Sequence, residues 1–182
     1  AVSQDDWGSA CLCTKCSVIH EKEESGMGTL LTMVNGFADR VAEKYPKVKL
    51  GTLAYYHTQK PPKTFKPRPN VIIQLTSHDC SVTDPFRDST YEDTVIFRND
   101  LEGWGRICNH INLWYYNNNF ATFSIPMPNI RVLEPNIRFF VANNIKGIFM
   151  QGAHNGPGAD LCDLRNYVTS RLLWDPAQSG QE

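Results

Sequence analysis

Four segments of the chain share one pattern, in which an apolar run ends in aromatic, amide or acidic residues. These segments are residues 50–58, 71–80, 111–120 and 147–155. Short apolar runs that are rich in branched residues predict buried strands. Because the strands of a (β/α) barrel end at one common mouth, we expect the polar and aromatic residues that follow these runs to converge there. The pattern therefore predicts a site at one end of the sheet.

Helical patterns alternate with the predicted strands. The predicted helices cover residues 28–45, residues 94–108, a shorter stretch after Pro135, and residues 159–173. The predicted strands cover residues 48–56, 71–75, 111–116 and 147–150, and residues 1–6 resemble the end of a fifth. This alternation predicts parallel βαβ units with right-handed crossovers. The predicted fold class is therefore α/β. A closed (β/α)8 TIM-type barrel needs eight strands, and only four or five are predicted, so residues 1–176 are expected to form part of such a barrel, followed by a tail over 177–182.

The charge balance argues against several partners. The chain has 18 basic and 19 acidic residues and no basic run, which predicts neither nucleic-acid nor membrane-surface binding. No apolar stretch approaches the roughly 20 residues that span a bilayer, and the first residues lack the pattern of a signal peptide. The Gly26-x-Gly28 pair lacks the Lys-Ser/Thr of a phosphate-binding loop, and no cofactor is predicted.

The sharpest local motif is Cys11-x-Cys13-x-x-Cys16, with His20 four residues further on. Three thiolates and an imidazole are a suitable ligand set for tetrahedral zinc. The spacing is shorter than that of common zinc knuckles, however, and six cysteines also permit disulfides to the later cysteines or free thiols. These alternatives are favoured over zinc from the sequence, so no metal is predicted.

Motifs along nearly the whole chain carry a family resemblance. They are VSQDDW, CLCTKC, GTLLTMVNGFADRVAEKYP, TLAYYHTQKPPK, RPNVIIQL, WYY followed by NF, PMPNIRVLEPNIRFF, KGIFMQG and LRNYVTSRLLWDP. In order and spacing they resemble a family of uncharacterised glycoside-hydrolase-like proteins, a domain of unknown function best known from polysaccharide-degrading bacteria. That family is similar to the TIM-barrel clan of α-glucuronidases and β-N-acetylhexosaminidases. The resemblance implies the C-terminal half of a glycosidase-type barrel.

Glycosidases normally use two carboxyl groups, one on each side of the bond that they break. The resemblance implies that Asp79 and Asp6 are this catalytic pair, although a turn explains Asp6 as well. At two other positions where the family carries acids, this chain has Tyr115 and Met150. Methionine cannot transfer a proton, and tyrosine nucleophiles occur only in exceptional glycosidases. The alternative function is therefore a catalytically degenerate protein that binds carbohydrate or acts as a scaffold.

The remaining candidate residues would bind a poly- or oligosaccharide at the barrel mouth. They are His57, Tyr55, Tyr56, His78, Trp114, Tyr116, Asn119 and Gln151. In this interpretation the aromatic rings stack on sugars, the histidines adjust protonation and the amides orient hydroxyl groups. Each has an ordinary alternative: Asn119 fits a turn, and of Trp114 and Tyr115 only one can point into the barrel because strand residues alternate faces.

Two further expectations follow from the resemblance and the incomplete barrel. A half-barrel exposes sheet edges and apolar surface, which predicts self-association or contact with the rest of a barrel. By analogy with polysaccharide-degrading proteins, the expected location is extracellular or periplasmic.

Overall fold

A computed structural model describes residues 10–152 and 161–179 of the chain. In chain order the helices are α1 (Thr14–Glu23), α2 (Met27–Lys44), α3 (Glu92–Ile107), α4 (Ile130–Ala142) and α5 (Cys162–Trp174). The strands are β1 (Leu50–Ala54), β2 (Val71–Thr76), β3 (Ile111–Tyr116) and β4 (Ile145–Gln151), and a 3-10 turn covers Tyr56–Thr58. No helix within the described ranges is long and apolar enough to cross a membrane.

The four strands form one parallel sheet in the order β1-β2-β3-β4. Each strand therefore pairs with its successor, and every crossover moves in the same direction across the sheet. Apolar side chains of α2, α3 and α4 form one core cluster with alternate side chains of the strands, so these helices lie on the same face. The predicted α/β fold of parallel strands and intervening helices is confirmed.

The opposite face of the sheet, which we call the open face, carries side chains that remain partly exposed. Along the strands its larger side chains are Leu53, Ile72, Gln74, Asn112, Trp114, Tyr116, Phe149 and Gln151. Phe149, on the edge strand β4, is 52% exposed. Parallel sheets are normally covered on both faces, so this surface is unusual for an isolated parallel sheet.

Helix α4 begins earlier than the sequence predicts. We expected a helix after Pro135, because proline lacks the N–H group that a helix interior requires. In the structure α4 starts at Ile130 and Pro135 lies within it. Val132 and Leu133, in the first turns, are buried in the core. Their burial favours the helical conformation and offsets the hydrogen bond that proline removes.

Helix α1 was not predicted, and its C-terminal residue anchors the loop between β1 and β2. Glu23 is fully buried and its carboxylate accepts hydrogen bonds from the backbone N–H groups of Thr64 and Phe65 at 2.7 and 3.0 Å. The Thr64 hydroxyl donates a third. Burial raises the pKa of Glu23, but these hydrogen bonds lower it by more, and the pKa ends below its ordinary value of 4.5.

We expect Glu23→Gln to lower the free energy of unfolding by about 1–3 kcal/mol near neutral pH, because Thr64 and Phe65 lose a charged acceptor on a buried side chain. The folded-state pKa is lowered, so the ionised carboxylate stabilises the fold above pH 4.5 and this contribution is lost as the pH falls further. Urea unfolding at a series of pH values should show the difference from wild type shrinking in acid. Glu21→Gln, at an exposed position of the same helix, is the control. Equal effects of the two substitutions would contradict the anchoring role.

Candidate functional site

Aromatic residues from three strand ends meet at the carboxyl edge of the sheet. Tyr55 and Tyr56 follow β1, His78 follows β2 and Tyr116 ends β3. The ring centroids of Tyr55 and Tyr56 lie 4.1 Å apart, and those of Tyr56 and His78 lie 4.5 Å apart. His78 also contacts Tyr55 at 5.4 Å and Tyr116 at 5.7 Å. We call these four residues the aromatic cluster.

A chain of polar contacts runs through this cluster to a carboxylate. The Tyr56 hydroxyl lies 2.9 Å from Nε2 of His78, and Nδ1 of His78 lies 2.7 Å from Oδ2 of Asp79. The Asp79 side chain is 63% exposed, so it faces solvent at the rim of the site. The hydrogen bond between Tyr56 and Tyr55 is the main cause that raises the pKa of Tyr56 to about 12, and burial adds to it. The Tyr56 hydroxyl is therefore neutral. The arrangement orients the imidazole between a phenol and a carboxylate.

Two residues of this site have left-handed backbone conformations. Tyr56 has φ 47° and Asp79 has φ 60°. Aspartate adopts this region at modest cost, whereas a bulky tyrosine rarely does so, and such strain costs about 1–3 kcal/mol. Strained residues concentrate at functional sites, where the surrounding structure holds them in place. Here the backbone N–H of Tyr55 donates to the Thr58 hydroxyl at 3.0 Å, which closes the turn around Tyr56.

Next to the aromatic cluster, the open face carries three rings that we call the aromatic platform: Trp114, Tyr116 and Phe149. The rings of Trp114 and Tyr116 are nearly parallel, at 14°, with centroids 6.1 Å apart. Phe149 meets Trp114 edge-on at 5.2 Å. The indole N–H of Trp114 donates to Oε1 of Gln151 at 2.6 Å, which fixes the orientation of the indole. Phe149 was not among the residues predicted from the sequence, although its register partner Trp114 was.

Tyr115 and Met150 belong to the opposite face. They are register partners on β3 and β4. Tyr115 is 1% exposed, and its hydroxyl accepts a hydrogen bond from Nδ2 of Asn136 in α4 at 3.2 Å. Met150 packs against the same core. Trp114 is therefore the residue of the Trp114-Tyr115 pair that faces away from the helices.

Three other candidate residues, His57, Asn119 and Asp6, belong neither to the aromatic cluster nor to the aromatic platform. His57 lies against Gly26 at the turn between α1 and α2, where a Cβ on Gly26 would come within 2.7 Å of the imidazole. The Gly26 N–H also donates to the His57 carbonyl at 3.1 Å. Asn119 uses its side-chain oxygen to accept from the backbone N–H groups of Ala121 and Thr122, which is a turn. Asp6 lies outside the described residues.

The cysteine motif lies at the start of α1. Its three Sγ atoms lie within 4.8 Å of one another, and each of these cysteines is a free thiol. The pKa of Cys13 is lowered, first by the backbone N–H of Cys16 and then by the neighbouring thiols. His20, the fourth ligand of the zinc alternative, lies outside this group, and its Nε2 contacts the Thr29 hydroxyl.

We expect Tyr115→Phe to lower the free energy of unfolding by about 1 kcal/mol, because the buried amide of Asn136 loses its acceptor. Chemical denaturation measures this difference. Tyr167→Phe, at a residue that is 65% exposed on α5, should leave stability within about 0.5 kcal/mol of wild type. If Tyr115→Phe unfolds with the same free energy as wild type, the hydrogen bond between Tyr115 and Asn136 does not stabilise the core.

No curated protein and no solved structure matches the chain. A family model does match, over residues 1–182. The chain belongs to the family described as a domain of unknown function, DUF4838.

Proposed function

We propose that this chain is part of a glycoside-hydrolase-like barrel and binds an oligosaccharide at the carboxyl edge of its sheet. The observation that carries the proposal is the aromatic platform beside the Tyr56–His78–Asp79 chain. Flat apolar rings provide contact area, and a few oriented polar groups provide specificity, which is the usual composition of a small-molecule site. Ring faces of Trp114 and Tyr116 would contact the faces of sugar rings, while His78 and Gln151 would contact hydroxyl groups.

The strand order supports the barrel. In a (β/α) barrel successive strands are neighbours and all helices lie outside, so half of one would have the order and the one-sided helices seen here. The open face would then line the barrel interior. Completing strands would pair with the outer edges of β1 and β4 in the described sheet and cover Leu53, Ile72 and Phe149. Residues 1–6, where the sequence predicts the end of a further strand, lie outside the described residues. The remaining strands would come from the rest of a longer chain or from a second copy.

Asp79 is the proposed catalytic carboxylate. His78 orients it through the 2.7 Å contact, and it stands at the rim of the aromatic cluster, where a glycosidic oxygen or anomeric carbon can approach. Glycosidase chemistry requires a second carboxyl group, one of the pair being protonated and the other ionised. The family resemblance assigns this second role to Asp6. Polysaccharide as the substrate implies a protein that works outside the cytoplasm.

Binding without hydrolysis is the second candidate function. It is favoured by Tyr115 and Met150, which provide no carboxyl group at two positions where the resembling family carries acids. Both side chains face the helices, however, so a carboxylate at either position of this chain would point away from the platform. The absence of those acids therefore does not change the groups around Asp79. Hydrolysis and binding without hydrolysis must be distinguished by experiment.

We expect Trp114→Ala to weaken oligosaccharide binding about tenfold, equivalent to about 1.4 kcal/mol, because a ring face and an oriented indole N–H are lost. Isothermal titration calorimetry with chitohexaose and with glucuronic-acid-substituted xylo-oligosaccharides measures the change. Trp174→Ala is the matched control, since Trp174 is 90% exposed at the end of α5. Binding that is unaffected by Trp114→Ala, or equally reduced by both substitutions, would contradict a site on the platform.

Catalysis is tested with Asp79→Asn on the same oligosaccharides. If Asp79 is catalytic, the rate of hydrolysis falls at least about 100-fold while the dissociation constant changes little, since general acid–base groups contribute roughly that much. Chromatography of reaction products at fixed times gives the rate. Asp84→Asn, at another exposed acid of the same loop, is the control. An unchanged rate of hydrolysis in Asp79→Asn would show that Asp79 is not catalytic. If the wild-type protein binds these oligosaccharides but does not hydrolyse them, binding without hydrolysis is the function.

A further inference from the structure

The three cysteines of the CxCxxC motif converge on one point at the N-terminus of α1. Cys13 immediately precedes the helix, and Cys16 lies in its first turn, so the i, i+3 spacing places both thiols on one side. The extended backbone before α1 returns Cys11 to the same side, and the three Sγ atoms lie within 4.8 Å of one another. Cys80, Cys108 and Cys162 lie outside this group.

The three thiols lie at an end of the helix that solvent reaches, and two of them differ in acidity: the pKa of Cys13 is lowered, whereas hydrogen bonds with Cys13 and Cys11 raise the pKa of Cys16 to about 11. The N-terminus of a helix carries a partial positive charge, which stabilises thiolates. Cys11 and Cys13 are exposed and Cys16 is half-buried, so an ion from solution can reach all three sulfur atoms.

We propose that Cys11, Cys13 and Cys16 together bind one thiophilic d10 cation, Zn²⁺ or Cu⁺. Thiolate ligands select these soft ions over Mg²⁺ or Ca²⁺. Zn–S bonds of about 2.3 Å place tetrahedral sulfur ligands about 3.8 Å apart, which rotation of the exposed side chains reaches from the observed spacing. On binding, each thiol releases its proton to solvent and donates a sulfur lone pair to the metal.

Three ligands leave one coordination position open on Zn²⁺, whereas they complete the trigonal shell of Cu⁺. Within residues 10–152 and 161–179, no fourth Cys, His, Asp or Glu joins the group. Structural zinc sites are usually closed by four protein ligands, and an open position accepts water or another small ligand. The proposed site therefore differs from the Cys₃His zinc alternative considered from the sequence, in which His20 was the fourth ligand.

The test is metal titration of the full 182-residue chain after reduction and chelator treatment. With Co²⁺ as the spectroscopic probe for the Zn²⁺ arm, we expect thiolate charge-transfer absorption that saturates at one equivalent and is abolished by Zn²⁺. The Cu⁺ arm uses competition with bathocuproine disulfonate. The arm with the lower dissociation constant identifies the preferred ion. Metal that binds only the folded chain also raises its unfolding temperature.

Cys13→Ser should weaken metal binding at least about 100-fold, since loss of even an outer-shell partner costs roughly 10- to 100-fold. Cys162→Ser, which removes a cysteine outside the group, should bind as wild type does. If Cys13→Ser fails to fold, alkylation of the wild-type protein followed by peptide mass analysis replaces it, with metal expected to protect the three motif cysteines and not Cys162. The proposal is overturned by binding below one equivalent, by equal affinities of the two variants, by unprotected motif cysteines, or by a disulfide within the motif in freshly isolated protein.

Discussion

The parallel register of β2, β3 and β4 determines what each side chain of the sheet can do. On β3, Trp114 pairs with Thr76 on one side and Phe149 on the other. Because strand side chains alternate, this register places Trp114 and Tyr116 together on the open face and directs Tyr115 into the core. A shift of one residue would reverse these assignments and remove the aromatic platform. The proposed sugar-binding surface thus depends on backbone hydrogen bonds more than on any one ring.

The strained turn at Tyr56 is supported from several sides. The Tyr56 hydroxyl contacts His78, and the Gly26 N–H donates to the carbonyl of the following residue, His57. Glu23 holds the loop that continues from this turn. Helix α1 therefore connects the region of the proposed metal site, at its N-terminus, with the anchor of the β1–β2 loop, at its C-terminus. A metal that orders the start of α1 would therefore stabilise the helix that supports the aromatic cluster.

The sequence predicted α2, α3, α5 and all four strands, and the apolar patterns are strongest in α2, α3 and the strands. It also predicted that Tyr55, Tyr56, His78 and Tyr116 come together, because residues after parallel strands share one edge. The predicted start of α4, based on the helix propensity of proline, was wrong, because burial of Val132 and Leu133 outweighs the effect of Pro135. It gave no indication of α1, whose residues have almost no amphipathic pattern and are stabilised by contacts with distant segments. Which of two adjacent aromatic residues faces the core depends on register, and no single strand contains that information.

Sugar binding at the aromatic platform can be followed in the indole N–H signals of ¹⁵N-labelled protein. The protein is titrated with chitohexaose and with glucuronic-acid-substituted xylo-oligosaccharides. Trp114 lies on the platform and donates to Gln151, whereas Trp104 is fully buried and donates to the Gln59 carbonyl at 2.7 Å. If sugar binds on the platform, the Trp114 signal shifts saturably while the Trp104 signal changes little. Saturable binding that leaves the Trp114 signal unmoved would place the sugar elsewhere and rule out the platform as the site.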